Sequence, residues 1–146
     1  MVITDIAELG SSVICSPDND EELVPAEGDG ALLPGSLVYI ATATGRITGS
    51  DLGNAELFLG IVKEEPTLGT DTAITADLPC SVVVPRSGHM YRVRILDLNA
   101  ATEIGSGLDI SGTPGYMDGA ADINNALATV SRPGLDGDTV AEVRWV

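Results

Sequence analysis

The sequence predicts an all-β protein, built as a short-stranded barrel with an extended N-terminal arm. The 17 glycines and 8 prolines recur every few residues, which leaves little room for helices of about ten residues or more. Between them stand short runs rich in β-branched residues, and this pattern is typical of sandwiches and barrels. A hydrophobic content of 44% over 146 residues supports a packed core and excludes wholesale disorder.

The first 30 residues differ from the rest and divide into two parts. MVITDIAELGSSVIC (1–15) has enough apolar residues to pair with another strand. SPDNDEELVPAEGDG (16–30) is acidic and turn-rich, and it resembles a solvated linker. We therefore expect an arm and acidic linker over 1–30 and a β domain over 31–146, with a candidate subdivision near 97–103.

From residue 32 the predicted strands follow at regular spacing. LLPGSLVYIATA (32–43) predicts a strand entered through a Pro-Gly turn. TGRITGS (44–50) predicts a tight turn and a short return strand. AELFLGIVKEE (55–65) is almost continuously apolar, so we expect a strand buried on both faces. Gly60 within it indicates a bulge or a close backbone approach.

The later segments predict further strands. AITADLPCSVVV (73–84) continues through Pro79, which favours an edge strand or a bulge. VVVPRSGHMYRVRILD (82–97) predicts a β-hairpin, because an apolar run meets a Pro- and Gly-containing turn and then an alternating strand. ALATVSRPGLDGDTVAEVRWV (126–146) predicts two closing strands around a glycine-rich turn.

Two pairs of segments are similar at an offset of 70 residues. GSLVYI (35–40) is similar to GSGLDI (105–110), and TGRIT (44–48) is similar to PGYMD (114–118). The residues leave open whether the chain is duplicated or uses common β patterns twice.

The charge balance excludes several kinds of partner. The chain has 22 acidic and 7 basic residues, a formal net charge of −15. Such a surface repels phosphate backbones, so we expect no direct contact with nucleic acid. No apolar run approaches the roughly 18 residues of a membrane span, and the N-terminus is acidic where a signal peptide is basic. The single lysine indicates either a salt-rich cell or a high-GC genome.

The sequence predicts no catalytic residue, no metal site and no cofactor. His89 is the only histidine, and no acid is patterned toward it and Ser87. The acidic segment 18–29 departs from a calcium loop at its sixth and last positions. Cys15 and Cys80 have no CxxC spacing, so the sequence predicts no zinc site. Two buried thiols are expected, with one disulfide as the alternative.

The order of these features resembles that of the head decoration, or capsid cement, proteins of tailed phages of the lambda type. A Pro-led strand (LLPGSLVYIATATGRIT) precedes an apolar strand (LFLGIV), an Ala- and Thr-rich strand and a hairpin with a basic residue, Ser and Gly at its turn (RSGHMYR). The resemblance covers roughly residues 32–96, a little under half of the chain. Residues 99–146 depart from that pattern as an additional half of similar style.

The resemblance implies a non-enzymatic protein with a β-tulip-like barrel. Such a protein is made in the host cytoplasm, trimerises, and binds the major capsid protein on the outer surface of an icosahedral shell. Another virion component, such as a turret, fibre base or tail part, is one alternative. A cellular β domain that binds a small ligand or carbohydrate is another.

The resemblance also suggests which residues make contacts. An N-terminal arm of this kind adds a strand to a coat-protein sheet; an ordinary first strand of the protein's own sheet is the alternative. The expected capsid-binding residues in the arm are Val2, Ile3, Ile6 and Leu9. The expected trimer-contact residues are Arg86, His89 and Tyr91.

Overall fold

The computed structural model describes residues 13–15, 23–28, 32–63, 79–98, 104–120, 126–132 and 137–146, apart from the side chains of 13–15, 23–27, 56, 79, 97 and 98. These residues form eleven strands and one short 3-10 helix, Leu52–Leu57. The strands are β1 (Val13–Cys15), β2 (Leu23–Glu27), β3 (Leu37–Ala41), β4 (Arg46–Gly49), β5 (Phe58–Val62), β6 (Pro79–Val83), β7 (Met90–Leu98), β8 (Gly107–Ile110), β9 (Met117–Gly119), β10 (Ala128–Val130) and β11 (Asp138–Trp145).

The strands form one closed barrel and one half-barrel. The first sheet has the order β1-β7-β11-β10-β8-β9, and a parallel pairing of Ile95 with Met117 joins β7 to β9. Five of its strands therefore close into a barrel, to which β1 is added at β7. The half-barrel has the order β2-β6-β5-β3-β4, and an isolated parallel bridge links Gly28 to Ile47. The predicted all-β fold is confirmed.

The half-barrel repeats the strand order of the closed barrel. Strands β2 to β6 correspond in sequence order to β7 to β11, and the same neighbours pair in both. The pair Val38–Gly49 on β3 and β4 corresponds to Leu108–Gly119 on β8 and β9, at an offset of 70. The bridge from Gly28 to Ile47 likewise corresponds to the parallel pairing that closes the barrel. The similarity at that offset therefore coincides with repeated structure.

Equivalent turns support the same conclusion. Gly35 and Gly105 both have positive φ, 84° and 89°, a conformation that glycine adopts without a side-chain clash. Gly35 N–H donates to the Val62 carbonyl at 2.8 Å, and Gly105 N–H donates to the Val130 carbonyl at 2.7 Å. Each bond fastens the entry to the second strand of its repeat onto the end of the fourth.

Two clusters of buried residues form the core. One fills the half-barrel and comprises Leu32, Val38, Ile47, Val62, Cys80 and Val82. The larger one belongs mainly to the closed barrel and also takes in Leu37, Ile61 and Val83 from the half-barrel. Strand β5 thus contributes to both clusters, as its continuous apolar run predicts. The predicted close approach at Gly60 is confirmed, since an added Cβ would lie 2.3 Å from the Val83 carbonyl oxygen.

The predicted hairpin at 82–97 is wrong. Strand β6 pairs with β2 and β5, whereas β7 pairs with β11, β1 and β9. Residues 84–89 therefore carry the chain from the half-barrel into the closed barrel. The change between the two repeats lies there, and the candidate subdivision near 97–103 stays a prediction. An apolar run, a turn and an alternating strand look alike in a hairpin and in a crossing between sheets.

The segment interpreted as a linker, 16–30, also differs from its expected form. Residues 23–27 form β2, and Leu23 and Val24 lie opposite Val83 and Val82 of β6. The acidic residues around this short apolar run made the segment look like a linker in the sequence. Pro79 is the first residue of β6 and lies opposite Glu27 of β2, so it interrupts no pairing with β5.

Candidate interaction surface

The turn at 84–89 is fastened to the end of β11. Gly88 has a φ of 82°, and the His89 N–H donates to the Arg86 carbonyl at 3.1 Å. Gly88 N–H donates to the Trp145 carbonyl at 2.8 Å, and Trp145 N–H donates to the His89 carbonyl at 2.9 Å. Arg86 is exposed and His89 is half-buried. The turn therefore presents Arg86 on a fixed backbone.

Tyr91 supports this turn from inside the molecule. It is 3% exposed, and its hydroxyl accepts a hydrogen bond from the Arg86 backbone N–H at 3.1 Å. Its ring meets Trp145 edge-on, with centroids 6.4 Å apart, and Phe58 stacks on Trp145 at 5.6 Å. The structure brings Arg86, His89 and Tyr91 together, but it gives Tyr91 no exposed surface. Their role at a trimer contact stays a prediction.

Beside the turn lies a surface of four arginines, here named the basic face: Arg86, Arg92, Arg132 and Arg144. Arg92 on β7 lies directly opposite Glu142 on β11. Its Nε and Nη2 both donate to Glu142 Oε1, at 3.2 and 3.0 Å. Arg132 Nε lies 3.7 Å from the other carboxylate oxygen. One carboxylate thus joins two of the four arginines.

Arg144 connects this ion pair to the turn. It lies two residues beyond Glu142 on the same strand, and alternate residues of a strand share a face. Its Nη1 donates to the Gly88 carbonyl at 2.8 Å, and its Nη2 lies 3.6 Å from Met90 Sδ. Sequence reasoning missed the basic face because its members come from three separate segments. The concentration of arginines in 86–94 and 132–144 was the available signal.

All seven basic side chains lie in the described part, together with five of the 22 acidic ones. The five described acids are Asp51, Asp109, Asp118, Asp138 and Glu142. The other 17 acids belong to residues whose side chains lie outside the described set.

Arg94 has a different position from the other arginines of β7 and β11. It is 4% exposed, and its Nε donates to the Pro34 carbonyl at 3.0 Å. Its backbone N–H donates to the Gly35 carbonyl at 2.9 Å. Arg94 therefore fastens the closed barrel to the first turn of the half-barrel and does not belong to the exposed surface.

Among the described residues, no group of three or more His, Cys, Asp or Glu side chains could hold a metal ion. The acidic residues at 18–22 and the segment 133–136 lie outside those residues. Cys80 is buried and not disulfide-bonded. A pocket of about 220 Å³ is lined by Leu52, residues 109–112 and residues 118–120. It is smaller than the roughly 300–1,000 Å³ of most small-molecule sites.

The expected arm residues, Val2, Ile3, Ile6 and Leu9, lie outside the described residues. Just after them, β1 pairs with Tyr91 and Met90 of the protein's own sheet. The last part of segment 1–15 thus pairs within the protein's own sheet. Within the described ranges no helix is long and apolar enough to cross a membrane.

No protein-family model matches the chain, and no curated protein sequence matches it. A solved structure, the head fiber gp8.5 N base in bacteriophage phi29, has a similar fold. The match has a TM-score of 0.53 and 10% sequence identity, and it covers 87% of this chain and 95% of that chain. The likeness is therefore one of fold, and it extends over both repeats.

Proposed function

We propose that this protein is a non-enzymatic structural component of a virus particle that binds the outside of an icosahedral capsid and stabilises it. The observation that carries the proposal is the fold shared with a phage head fiber base over nearly the whole of both chains. The order of motifs resembling capsid cement proteins also supports it, except for the last motif, because the hairpin expected at 82–97 does not form. Fold alone does not specify function, so the two observations are needed together.

The physical properties of the chain suit this role. A cement protein stabilises a shell by burying apolar area against several neighbouring subunits, because binding to the assembled state alone shifts the equilibrium toward it. Such a protein need not touch the packaged genome, which agrees with a net charge of −15. The major capsid protein is the proposed partner, with Val2, Ile3, Ile6 and Leu9 as the proposed anchors and a homotrimer as the proposed assembly.

A second candidate is the base of a head fiber, a different virion component. The solved structure with the similar fold is itself a head fiber base, and that observation favours this alternative. The two candidates differ in whether the protein carries a further structure that projects away from the capsid. A cement protein ends near the capsid surface, whereas a fiber base carries a projecting structure.

Immunogold electron microscopy of purified particles of the virus that encodes the chain tests the proposal. We expect antibodies against the full chain to label the heads over their whole surface. Sparse labelling at projecting fibers would favour the fiber-base alternative, and labelling of tails would contradict both. Particles that carry no label and contain none of the protein by mass spectrometry would exclude a virion role.

Capsid attachment is tested separately by reconstitution. Purified full-length chain is added to expanded capsids that lack it, and pelleting and thermal disruption of the capsids are measured. We expect saturable binding and a higher disruption temperature. Replacing Val2, Ile3, Ile6 and Leu9 together by serine should abolish binding while leaving the circular dichroism spectrum unchanged. Equal binding by that variant would contradict the role of the arm.

A further inference from the structure

We propose that a second copy of this chain places its turn at 42–45 on residues 104–107 and 119–120 of the closed barrel. This docking repeats between two chains a contact that each chain already makes between its own two repeats. Residues of the two repeats correspond at an offset of 70, so each side of that internal contact has an equivalent elsewhere on the same chain.

The internal contact is made by the turn at 112–115 of the closed barrel, which lies on the half-barrel. Leu37 N–H donates to the Gly115 carbonyl at 2.9 Å, and Gly115 N–H donates to the Ser50 carbonyl at 2.8 Å. A Cβ added at Gly49 would lie 3.0 to 3.1 Å from three atoms of the turn. The contact is therefore close, and it joins two different surfaces: a turn and a receiving surface.

The receiving surface has an exposed equivalent on the closed barrel. Residues 34–37 are buried, whereas the equivalent residues 104–107 are exposed or half-buried, and Ile104 is 63% exposed. A Cβ added at Gly119, the equivalent of Gly49, would have no neighbour within 4 Å. The same surface is thus covered in the first repeat and open in the second.

The turn likewise has an exposed equivalent on the half-barrel. Residues 42–45 are all exposed. A Cβ added at Gly45 would have no neighbour within 4 Å, whereas one added at the equivalent Gly115 would lie 3.5 Å from Ser36. Both glycines have positive φ, 70° and 89°. Each chain therefore has one exposed turn and one exposed receiving surface.

The composition of the two exposed surfaces favours a second copy as the occupant. Residues 42–45, 104–107 and 119–120 are Thr, Ala, Gly, Ser and Ile, without a single charge, in a chain whose net charge is −15. Docking therefore brings no like charges directly together, and it buries the exposed Ile104. The contact is head-to-tail, and such contacts close into rings when the rotation allows.

The first test compares two variants of the full-length chain by sedimentation equilibrium. Gly119→Leu places a side chain where the turn of the second copy would lie. Gly112→Leu is the control, since a Cβ added there also has no neighbour within 4 Å and the position lies outside the proposed contact. Circular dichroism checks that each variant is folded. If Gly119→Leu is unfolded, Ile104→Ser replaces it, because that side chain is 63% exposed.

We expect the wild type and Gly112→Leu to associate alike, and Gly119→Leu to associate at least about tenfold more weakly, a difference of about 1.4 kcal/mol. A wild type that stays monomeric at every concentration would overturn the proposal. Association that Gly119→Leu leaves unchanged would also overturn it, and would leave the trimer contact expected at Arg86, His89 and Tyr91 as the route to an oligomer. Neither outcome would alter the proposed capsid binding, which the reconstitution measures separately.

A second test identifies the turn as the partner of Gly119. In the internal contact, Pro114 Cβ lies 3.0 Å from a Cβ added at Gly49, and the equivalent pair between two copies is Thr44 with Gly119. Cβ atoms that close bring two cysteines within reach of a disulfide. Thr44→Cys with Gly119→Cys should therefore form covalent oligomers under mild oxidation by oxidised glutathione. No oligomers, or as many with Thr44→Cys and Gly112→Cys, would contradict the proposed docking.

Discussion

At the scale of single residues, two like charges face each other on the closed barrel. Asp109 on β8 lies directly opposite Asp118 on β9, and like charges in this position destabilise a sheet. Each carboxylate accepts a hydrogen bond from the next backbone N–H at 2.7 Å, which an Asn oxygen would also accept. We therefore expect Asp109→Asn to raise the free energy of unfolding by about 0.5 kcal/mol. Urea denaturation at low salt measures this, and 1 M salt should reduce the difference.

Glu142→Gln is the matched control for that substitution, because it removes the same charge. Glu142 pairs with Arg92 and Arg132, so its loss should lower the free energy of unfolding where Asp109→Asn raises it. If both variants were stabilised alike, relief of the overall negative charge would be the cause. The cross-strand pair would then have no separate effect.

At the scale of elements, the close approach of β5 and β6 depends on Gly60. A Cβ added there would lie 2.3 Å from the Val83 carbonyl oxygen and 2.7 Å from Val82 Cγ1. Backbone must shift to admit it, so we expect Gly60→Ala to lower the free energy of unfolding by about 2 kcal/mol, within the range for overpacked cores. The midpoint of chemical denaturation measures the effect. Gly112→Ala is the control, since its added Cβ would have no neighbour within 4 Å; equal loss in both would contradict the steric cause.

The positions of the strands were easier to predict from the sequence than the pairing between them. The apolar runs around Leu37 and Ile61 and the glycines at 35 and 45 are local signals, and the structure has a strand or a turn at each of them. Pairing is decided by contacts far apart in the chain. For that reason the sequence at 82–97 predicted a hairpin, although β6 and β7 belong to different sheets. Strand β2 was missed because only Leu23 and Val24 stand out among acidic residues.

The candidate surface was predictable only in part. Arg86, His89 and Tyr91 were chosen from one continuous segment, and the structure does bring them together. Arg132 and Arg144 join Arg86 only through the pairing of β7 with β11 and the bond to the Gly88 carbonyl. Neither contact leaves a pattern in the sequence. The burial of Tyr91 could not be predicted either, because an alternating strand does not show which of its faces packs against the core.

At the scale of the whole molecule, the two repeats are joined too closely to unfold separately. Among the described residues, four backbone hydrogen bonds cross between them: Leu37 N–H to the Gly115 carbonyl, Gly115 N–H to the Ser50 carbonyl, Leu52 N–H to the Ser111 carbonyl, and Arg94 N–H to the Gly35 carbonyl. The larger core cluster also contains residues of both repeats. We therefore expect a single cooperative unfolding transition, in which far-UV circular dichroism and Trp145 fluorescence change together.

The stacking of Phe58 on Trp145 allows the contact between the two repeats to be measured by fluorescence. Phe58 belongs to the half-barrel and Trp145, the only tryptophan, belongs to the closed barrel. Phe58 is half-buried, so Phe58→Ala should cost about 2 kcal/mol, less than the 3–5 kcal/mol of a fully buried Phe. The indole would become more hydrated and its emission would shift to the red. If circular dichroism and Trp145 fluorescence of the wild type changed at different denaturant concentrations, the repeats would be independent units. The same would follow if Phe58→Ala changed neither the stability nor the emission, because the shared core would then contribute nothing to stability.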